Sequence, residues 1–202
     1  MRTKETTEPS WPVFHEIVVM GGSAGGFKVF SAILSALPLD FSLPILVVQH
    51  LIPGDDGLFY RHLASTIRLP VIEPCDKQWI KHGHVYVAPA NYHILVEQNG
   101  TIALSVDDKI NWSRPSIDVL FESAAQAFGE QVIAVLLSGA NADGAAGMLK
   151  IKEAGGLTIA LDPATAEYPV MPQAAIDSGA ADEVLSAEEI GLRLVKLGSY
   201  KI

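Results

Sequence analysis

The segment His15-Glu-Ile-Val-Val-Met-Gly-Gly-Ser-Ala-Gly-Gly26, followed by Phe27-Lys-Val-Phe-Ser-Ala-Ile-Leu-Ser-Ala-Leu37, decides how this chain folds. An apolar run breaks into glycines around one serine and then resumes with apolar residues at helical spacing. That pattern reads as strand, tight turn, helix, with Ser23 in the turn. Residues 21–25 match G-x-S-x-G, in which small neighbours let a strained turn lift the serine hydroxyl above a sheet edge and leave the next backbone N–H groups free. The following helix aims its positive end at the turn and favours negative charge near Ser23. Two other readings stay open for the segment. Ser23 could cap a plain strand-turn-helix corner, or the glycines could be a degraded dinucleotide-binding pattern. The second reading needs an acidic residue at the end of the next strand. That strand, Ile45-Leu-Val-Val-Gln-His50, ends in histidine, and Asp55 and Asp56 come only later.

Working outward, 202 residues suffice for one domain with a substantial core. Hydrophobic residues make up 49% and charged residues 18%, yet no apolar run is long enough to span a membrane. The formal charge of -9 and pI near 5.0 argue against nucleic acid as a partner. The single Cys75 excludes an internal disulfide and fits a reducing compartment. Residues 1–12 are polar and read as a disordered lead-in, with the folded domain over 13–202.

Beyond the first helix, Leu58 to Ile67 has helical spacing, and Val71-Ile-Glu-Pro74 reads as a short strand near an edge. From Gly83 the runs shorten: His84–Ala88, Tyr92–Glu97 and Thr101–Ser105. The last two flank Asn99-Gly100, a strong hairpin signal, so an antiparallel insert is expected here. Val106 to Ser113 reads as loop and Ser116 to Phe128 as a helix behind Pro115. Val132–Leu137 is a buried strand that breaks into Ser138-Gly-Ala-Asn-Ala-Asp-Gly144 before a helix over Met148–Ala154. A strand at Leu157–Leu161 and helices at Pro172–Ser178 and Ala187–Leu197 follow. Alternating strands and helices imply an α/β fold with a doubly wound, mostly parallel sheet, helices on both faces and a small antiparallel hairpin insert.

In such a sheet ligands bind beyond the carboxyl ends of the strands, and Ser23, His50 and Asp143 all fall just past such ends. They are the parts of a nucleophile, a general base and an orienting carboxylate. Each has a plainer alternative: His50 as a loop histidine bonded to a backbone carbonyl, Asp143 as the cap of the helix that begins at Gly144. Their order along the chain is not that of the α/β-hydrolases. The other histidines (His15, His62, His82, His84, His93) end no buried parallel strand, and His82 and His84 are a weak metal signal without further ligands. Arg114 reads as a structural residue fixing the loop before its helix.

Taken together, these segments resemble the catalytic domain of the CheB-type chemotaxis protein-glutamate methylesterases. The likeness rests on Met20-Gly-Gly-Ser-Ala-Gly-Gly26, Val47-Val-Gln-His-Leu51, Gly83-His-Val-Tyr-Val-Ala-Pro89, Arg114-Pro-Ser-Ile-Asp-Val-Leu-Phe121, Leu137-Ser-Gly139 with Asp143-Gly-Ala-Ala-Gly-Met148, and Met171-Pro-Gln-Ala-Ala-Ile176. It implies a Ser23-His50-Asp143 triad that hydrolyses glutamate γ-methyl esters on chemoreceptor cytoplasmic helices, with deamidation of glutamines in many members. It implies no metal or organic cofactor, a cytoplasmic setting, no membrane insertion, and a separate or fused receiver or methyltransferase as a further partner. The family often has Gly-Met-Gly where this chain has Gly139-Ala140-Asn141, and a hydroxyl residue where it has Ala24. Ala140 can still offer a backbone oxyanion donor, and with Ala24 it is expected to shape the oxyanion site and substrate groove. No segment here matches the receiver domain that precedes the typical catalytic domain, so regulation by phosphorylation of this chain is not expected. The competing readings are a serine hydrolase of this fold acting on another ester or amide, and a non-catalytic binding module.

Overall fold

A computed structural model describes residues 16–51 and 57–198. The lead-in, His15, Asp55 and Asp56 lie outside the described residues. The element order is β1 (Ile17–Gly22), α1 (Gly26–Ser35), β2 (Ile45–Gln49), α2 (Leu58–Thr66), β3 (Val71–Ile72), β4 (Val85–Val87), β5 (His93–Val96), β6 (Ile102–Ser105), α3 (Ile117–Phe128), β7 (Val132–Leu136), α4 (Ala145–Glu153), β8 (Leu157–Leu161), α5 (Val170–Asp177), β9 (Glu183–Leu185) and α6 (Ala187–Gly198).

Seven strands form one parallel sheet in the order β3-β4-β2-β1-β7-β8-β9, and β5 and β6 form a separate antiparallel pair. The doubly wound reading is therefore correct. The central strands are apolar on both sides because both sides are covered. Val18, Met20, Ile45, Val47, Ile133 and Val135 face a core closed by α1, α2 and α6. Ile17, Val19, Leu46, Val48, Val132 and Ala134 face a second core under α3, α4, α5 and the hairpin. The chain moves from β1 to β2 on one side and later returns to β7 on the other, so the strand order reverses at β1. Loops leaving β1 and β7 diverge to opposite faces there and open a crevice.

Two features depart from the sequence reading. The run His84–Ala88 does not belong to the antiparallel insert: β4 joins the parallel sheet beside β2 and β3. Its three residues are too few to show whether a neighbour runs parallel, and only long-range pairing decides that. Strand β9 was not foreseen, because it is short and half-exposed. It is an edge strand held by the paired contacts of Arg193 with Glu183. The insert itself is as expected, and Gly100 at φ 83° closes a three-residue loop through Gly100 N–H to Glu97 O (2.9 Å).

Helices α3 and α4 approach closely at Gly147. A Cβ added there would lie 2.7 Å from the Phe121 Cβ and 2.9 Å from the Asp118 carbonyl oxygen. Backbone cannot move aside cheaply, so Gly147→Ala is expected to destabilise the fold by about 1–3 kcal/mol, read as a lower urea midpoint.

Candidate active site

Register brings the candidate residues to one rim. Gly22 of β1 lies opposite Gln49 of β2, and the His50 N–H donates to Gly22 O at 3.0 Å. Ser23 N–H donates to Ser138 O, just past β7, at 2.8 Å. Ser23, His50 and Ser138 thus leave three adjacent parallel strands at one level.

The Ser23 turn is pinned from both sides. Gln49, which is buried, donates both amide protons through Nε2, to Ser23 O (2.8 Å) and His50 O (3.0 Å), and so ties the serine turn to the histidine. Ser138 Oγ donates to Ala24 O at 2.8 Å and accepts from Tyr168 N–H at 3.0 Å. Gly25 is left-handed at φ 72°, and a side chain there would meet Ser138 Oγ. The cap of α1 is Gly25 and no side chain caps that helix, so the plain N-cap reading of Ser23 does not hold. Ala24 and Ala140 each present a backbone N–H without a hydrogen-bond partner among the described residues. Ala140 is exposed and follows Gly139, which is fixed by Tyr168 O and the Met171 N–H.

Asp143, 93 residues from His50, accepts the imidazole Nε2–H on its Oδ2 at 2.8 Å. Its side chain is fully buried and that of His50 is 10% exposed. The alternative in which His50 bonds a backbone carbonyl is excluded by this contact. Asp143 does not cap α4 either: Gly144 occupies that helix's N-cap position and has no side chain to cap it. The carboxylate instead sits at the start of α3, accepting Ile117 N–H (2.7 Å) on Oδ2, and Ser116 Oγ–H (2.9 Å), Asn111 Nδ2–H (2.9 Å) and Asp118 N–H (3.3 Å) on Oδ1. Five donors leave it no freedom to turn.

The arrangement is reciprocal. Asp118, in the first turn of α3, uses Oδ1 to accept Gly144 N–H (2.9 Å) and Gly147 N–H (2.7 Å) at the start of α4. Its Oδ2 accepts Asn111 Nδ2–H at 2.8 Å, so one amide group lies between the two buried carboxylates. Each helix is capped by the other's acid. Gly144 must be glycine for this to work, with φ 94° and no room beside Leu136 and Ile117 for a Cβ.

With Nε2–H committed to Asp143, the imidazole's Nδ1 is left as the acceptor. Ser113 Oγ lies 3.5 Å from it, at the outer limit of a hydrogen bond. Among the described residues Ser23 Oγ makes no hydrogen bond to the ring. Catalytic contacts are commonly long before substrate binds, and a serine χ1 rotation moves its oxygen by ångströms.

Burial and the neighbouring Asp143 charge push Asp118 up from 3.8 to about 6. Burial also acts against the Asp143 carboxylate, but hydrogen bonds from His50, Asn111 and Ile117 outweigh it and bring that group down to about 2. The two groups act oppositely on stability. Asp143 contributes stability that is present above pH 4 and lost as pH falls through 2. Asp118 binds its proton more tightly folded than unfolded, so stability declines as pH rises from 4 to 6. The unfolding free energy is expected to fall across pH 4–6, and Asp118→Asn to flatten that slope in urea titrations. A wild-type slope that the variant leaves unchanged would refute the assignment.

The remaining polar candidates have structural partners. Arg114 Nη1 donates to Val106 O (2.7 Å) and Asp107 O (2.9 Å), fixing the loop as its sequence position suggested. His93 is buried, accepts Ser116 N–H at 3.2 Å and reaches Asp108 O at 3.1 Å, so the hairpin braces the start of α3. His62 pairs with Ser31, and His84 bonds His82 O. Among the described residues no group of three or more His, Cys, Asp or Glu is arranged to hold a metal ion. None of their helices is long and apolar enough to cross a membrane. Gln49, Ser116, Asp118 and Ser138 lie in the segments that carry the family resemblance, but the sequence assigned them no role, and Asn111 carried no signal at all. Nothing local says that Asn111, Ser116 and Asp118 reach Asp143.

Comparison with known proteins points to one family and one fold. The family model described as CheB methylesterase matches residues 18–194. The chain is 45% identical over 183 residues to a Leptospira interrogans protein provisionally named protein-glutamate methylesterase/protein-glutamine glutaminase, covering 91% of this chain and 95% of that one. It is 40% identical to the Thermotoga maritima protein-glutamate methylesterase/protein-glutamine glutaminase, covering 95% of this chain but 56% of that longer protein. The crystal structure of the Thermotoga maritima CheB methylesterase catalytic domain superposes with a TM-score of 0.86 at 40% identity, over 92% of this chain and all of the other.

Proposed function

Because the chain belongs to the CheB methylesterase family, an esterase family, we propose that it hydrolyses glutamate γ-methyl esters on bacterial chemoreceptors, with deamidation of receptor glutamines as a second activity. The observation that carries the mechanism is the 2.8 Å contact of His50 Nε2 with a buried Asp143, beside the glycine turn that bears Ser23.

Ser23 Oγ attacks the ester carbonyl as its proton passes to Nδ1 of His50, the ring nitrogen that Asp143 leaves available. The tetrahedral oxyanion is held by backbone N–H groups, with Ala24 at the positive end of α1 and Ala140 as donors. The C–O bond to methanol breaks as His50 returns the proton to the leaving oxygen. A water that His50 deprotonates then attacks the acyl-Ser23, and collapse of that second intermediate releases glutamate and restores the serine. For glutamine the leaving group is ammonia. Asp143 stabilises the imidazolium in both halves and fixes the tautomer.

The test is methanol release from a helical receptor peptide carrying one glutamate γ-methyl ester, beside p-nitrophenyl acetate as a simple ester. Cleavage of the simple ester alone overturns the substrate assignment and leaves a hydrolase of another specificity.

A further inference from the structure

Ile110 and Ser113 exchange both backbone hydrogen bonds, at 3.2 and 2.9 Å, across a two-residue turn. Asn111 and Trp112 are both left-handed, at φ 51° and 65°. A turn with positive φ at both central positions favours Asn-Gly, because the second residue then carries no side chain. Asn111 suits its place. A bulky aromatic at the second place is an outlier, and strain of that kind concentrates where a site uses it.

Burial does not account for the tryptophan, since Trp112 is 95% exposed. The turn beneath it is nevertheless rigidly held. Asn111 donates to Asp118 and Asp143, and Arg114 clamps the loop before it through Val106 O and Asp107 O. The indole is thus presented by the turn beside the His50–Asp143 pair. It also stands between two concavities. One, of about 100 Å³, is lined by His50, Lys109 and Pro115. The other, of about 580 Å³, is lined by Ala145, Ala146 and Leu149 of α4 and by Ala142 before it. Trp112 lines both.

We propose that Trp112 is a specificity-determining residue whose indole packs against the apolar face of the helical segment bearing the ester and so seats the glutamyl side chain beside His50. This rests on the receptor-esterase reading above. The alanine floor accepts an apolar ridge, and Ser23 lines neither concavity, so a small ester needs no contact with the indole to react there.

Trp112→Gly separates this from a structural role, because glycine is the better residue for the turn and the variant should melt no lower than the parent. A synthetic amphipathic helical peptide carrying one glutamate γ-methyl ester is compared with p-nitrophenyl acetate. The ratio of the two kcat/KM values, peptide over small ester, should fall roughly tenfold, chiefly through the KM for the peptide, and Trp112→Tyr should recover most of it. An unmoved ratio, or both values falling together, overturns the proposal. So does a parent that dimerises in sedimentation and becomes monomeric in Trp112→Gly, since the indole would then serve self-association. Failure of the parent to cleave the peptide is a separate result that sinks the receptor-esterase reading itself.

Discussion

Replacing Ser23 with alanine is expected to lower ester turnover by about 10³- to 10⁶-fold while leaving the fold intact. The size of the loss follows from removing the only atom proposed to bond the substrate carbon. Structural cost should be small, because the contacts that hold the turn are backbone ones: Ser23 N–H to Ser138 O, and Ser23 O accepting Gly26 N–H and Gln49 Nε2–H. Alanine keeps all of them, so the urea midpoint should move by no more than about 0.5 kcal/mol equivalent. Burst-phase acyl-enzyme formation, read with p-nitrophenyl acetate, should vanish along with steady turnover. Retention of even a tenth of the parent activity would remove Ser23 as the nucleophile.

Asp143→Asn has the second large effect, and it strikes both chemistry and stability. All five partners of this carboxylate are donors, so an amide NH₂ in either orientation faces hydrogens. If the NH₂ group takes the place of Oδ2, it meets His50 Nε2 and Ile117 N–H. The ring must then switch its proton to Nδ1, and the nitrogen that should accept from Ser23 becomes a donor. If it takes the place of Oδ1, Asp118 N–H, Ser116 Oγ–H and Asn111 Nδ2–H lose their acceptor. A kcat loss on the order of 10⁴-fold is expected from the wrong tautomer, with about 1–3 kcal/mol of stability lost to the unpaired buried donor. The two readouts are separable: kcat is measured where the variant is still fully folded by circular dichroism. A folded Asp143→Asn protein with kcat within tenfold of the parent would remove the orienting role from Asp143.

The capping exchange between α3 and α4 makes Asp143 more than an attachment to His50. Its carboxylate completes α3, and Asp118 completes α4, with the Asn111 amide between them. Substitutions at Asn111 and Asp118 are therefore expected to change the pH slope as well as activity, since both buried carboxylates share one donor.

The hydrophobic pattern alone was sufficient for the parallel, doubly wound architecture, because Ile17–Met20, Ile45–Val48 and Val132–Leu136 are apolar at every position and only a sheet covered on both faces accepts that. It also marked the ends of those strands, where polar residues interrupt the runs, and so drew attention to Ser23, His50 and Asp143. Local pattern could not say that β4 joins the main sheet, since three residues carry no information about a neighbour's direction. Nor could it say where Asp143 points. In sequence it precedes α4 and looks like that helix's cap, but the left-handed Gly144 turns the chain so that the carboxylate faces the bare N–H groups of α3 instead. Gln49, Asn111, Ser116 and Asp118 became legible only in three dimensions, because their hydrogen-bonding groups are satisfied by residues up to dozens of positions away, and long-range satisfaction leaves no periodicity behind.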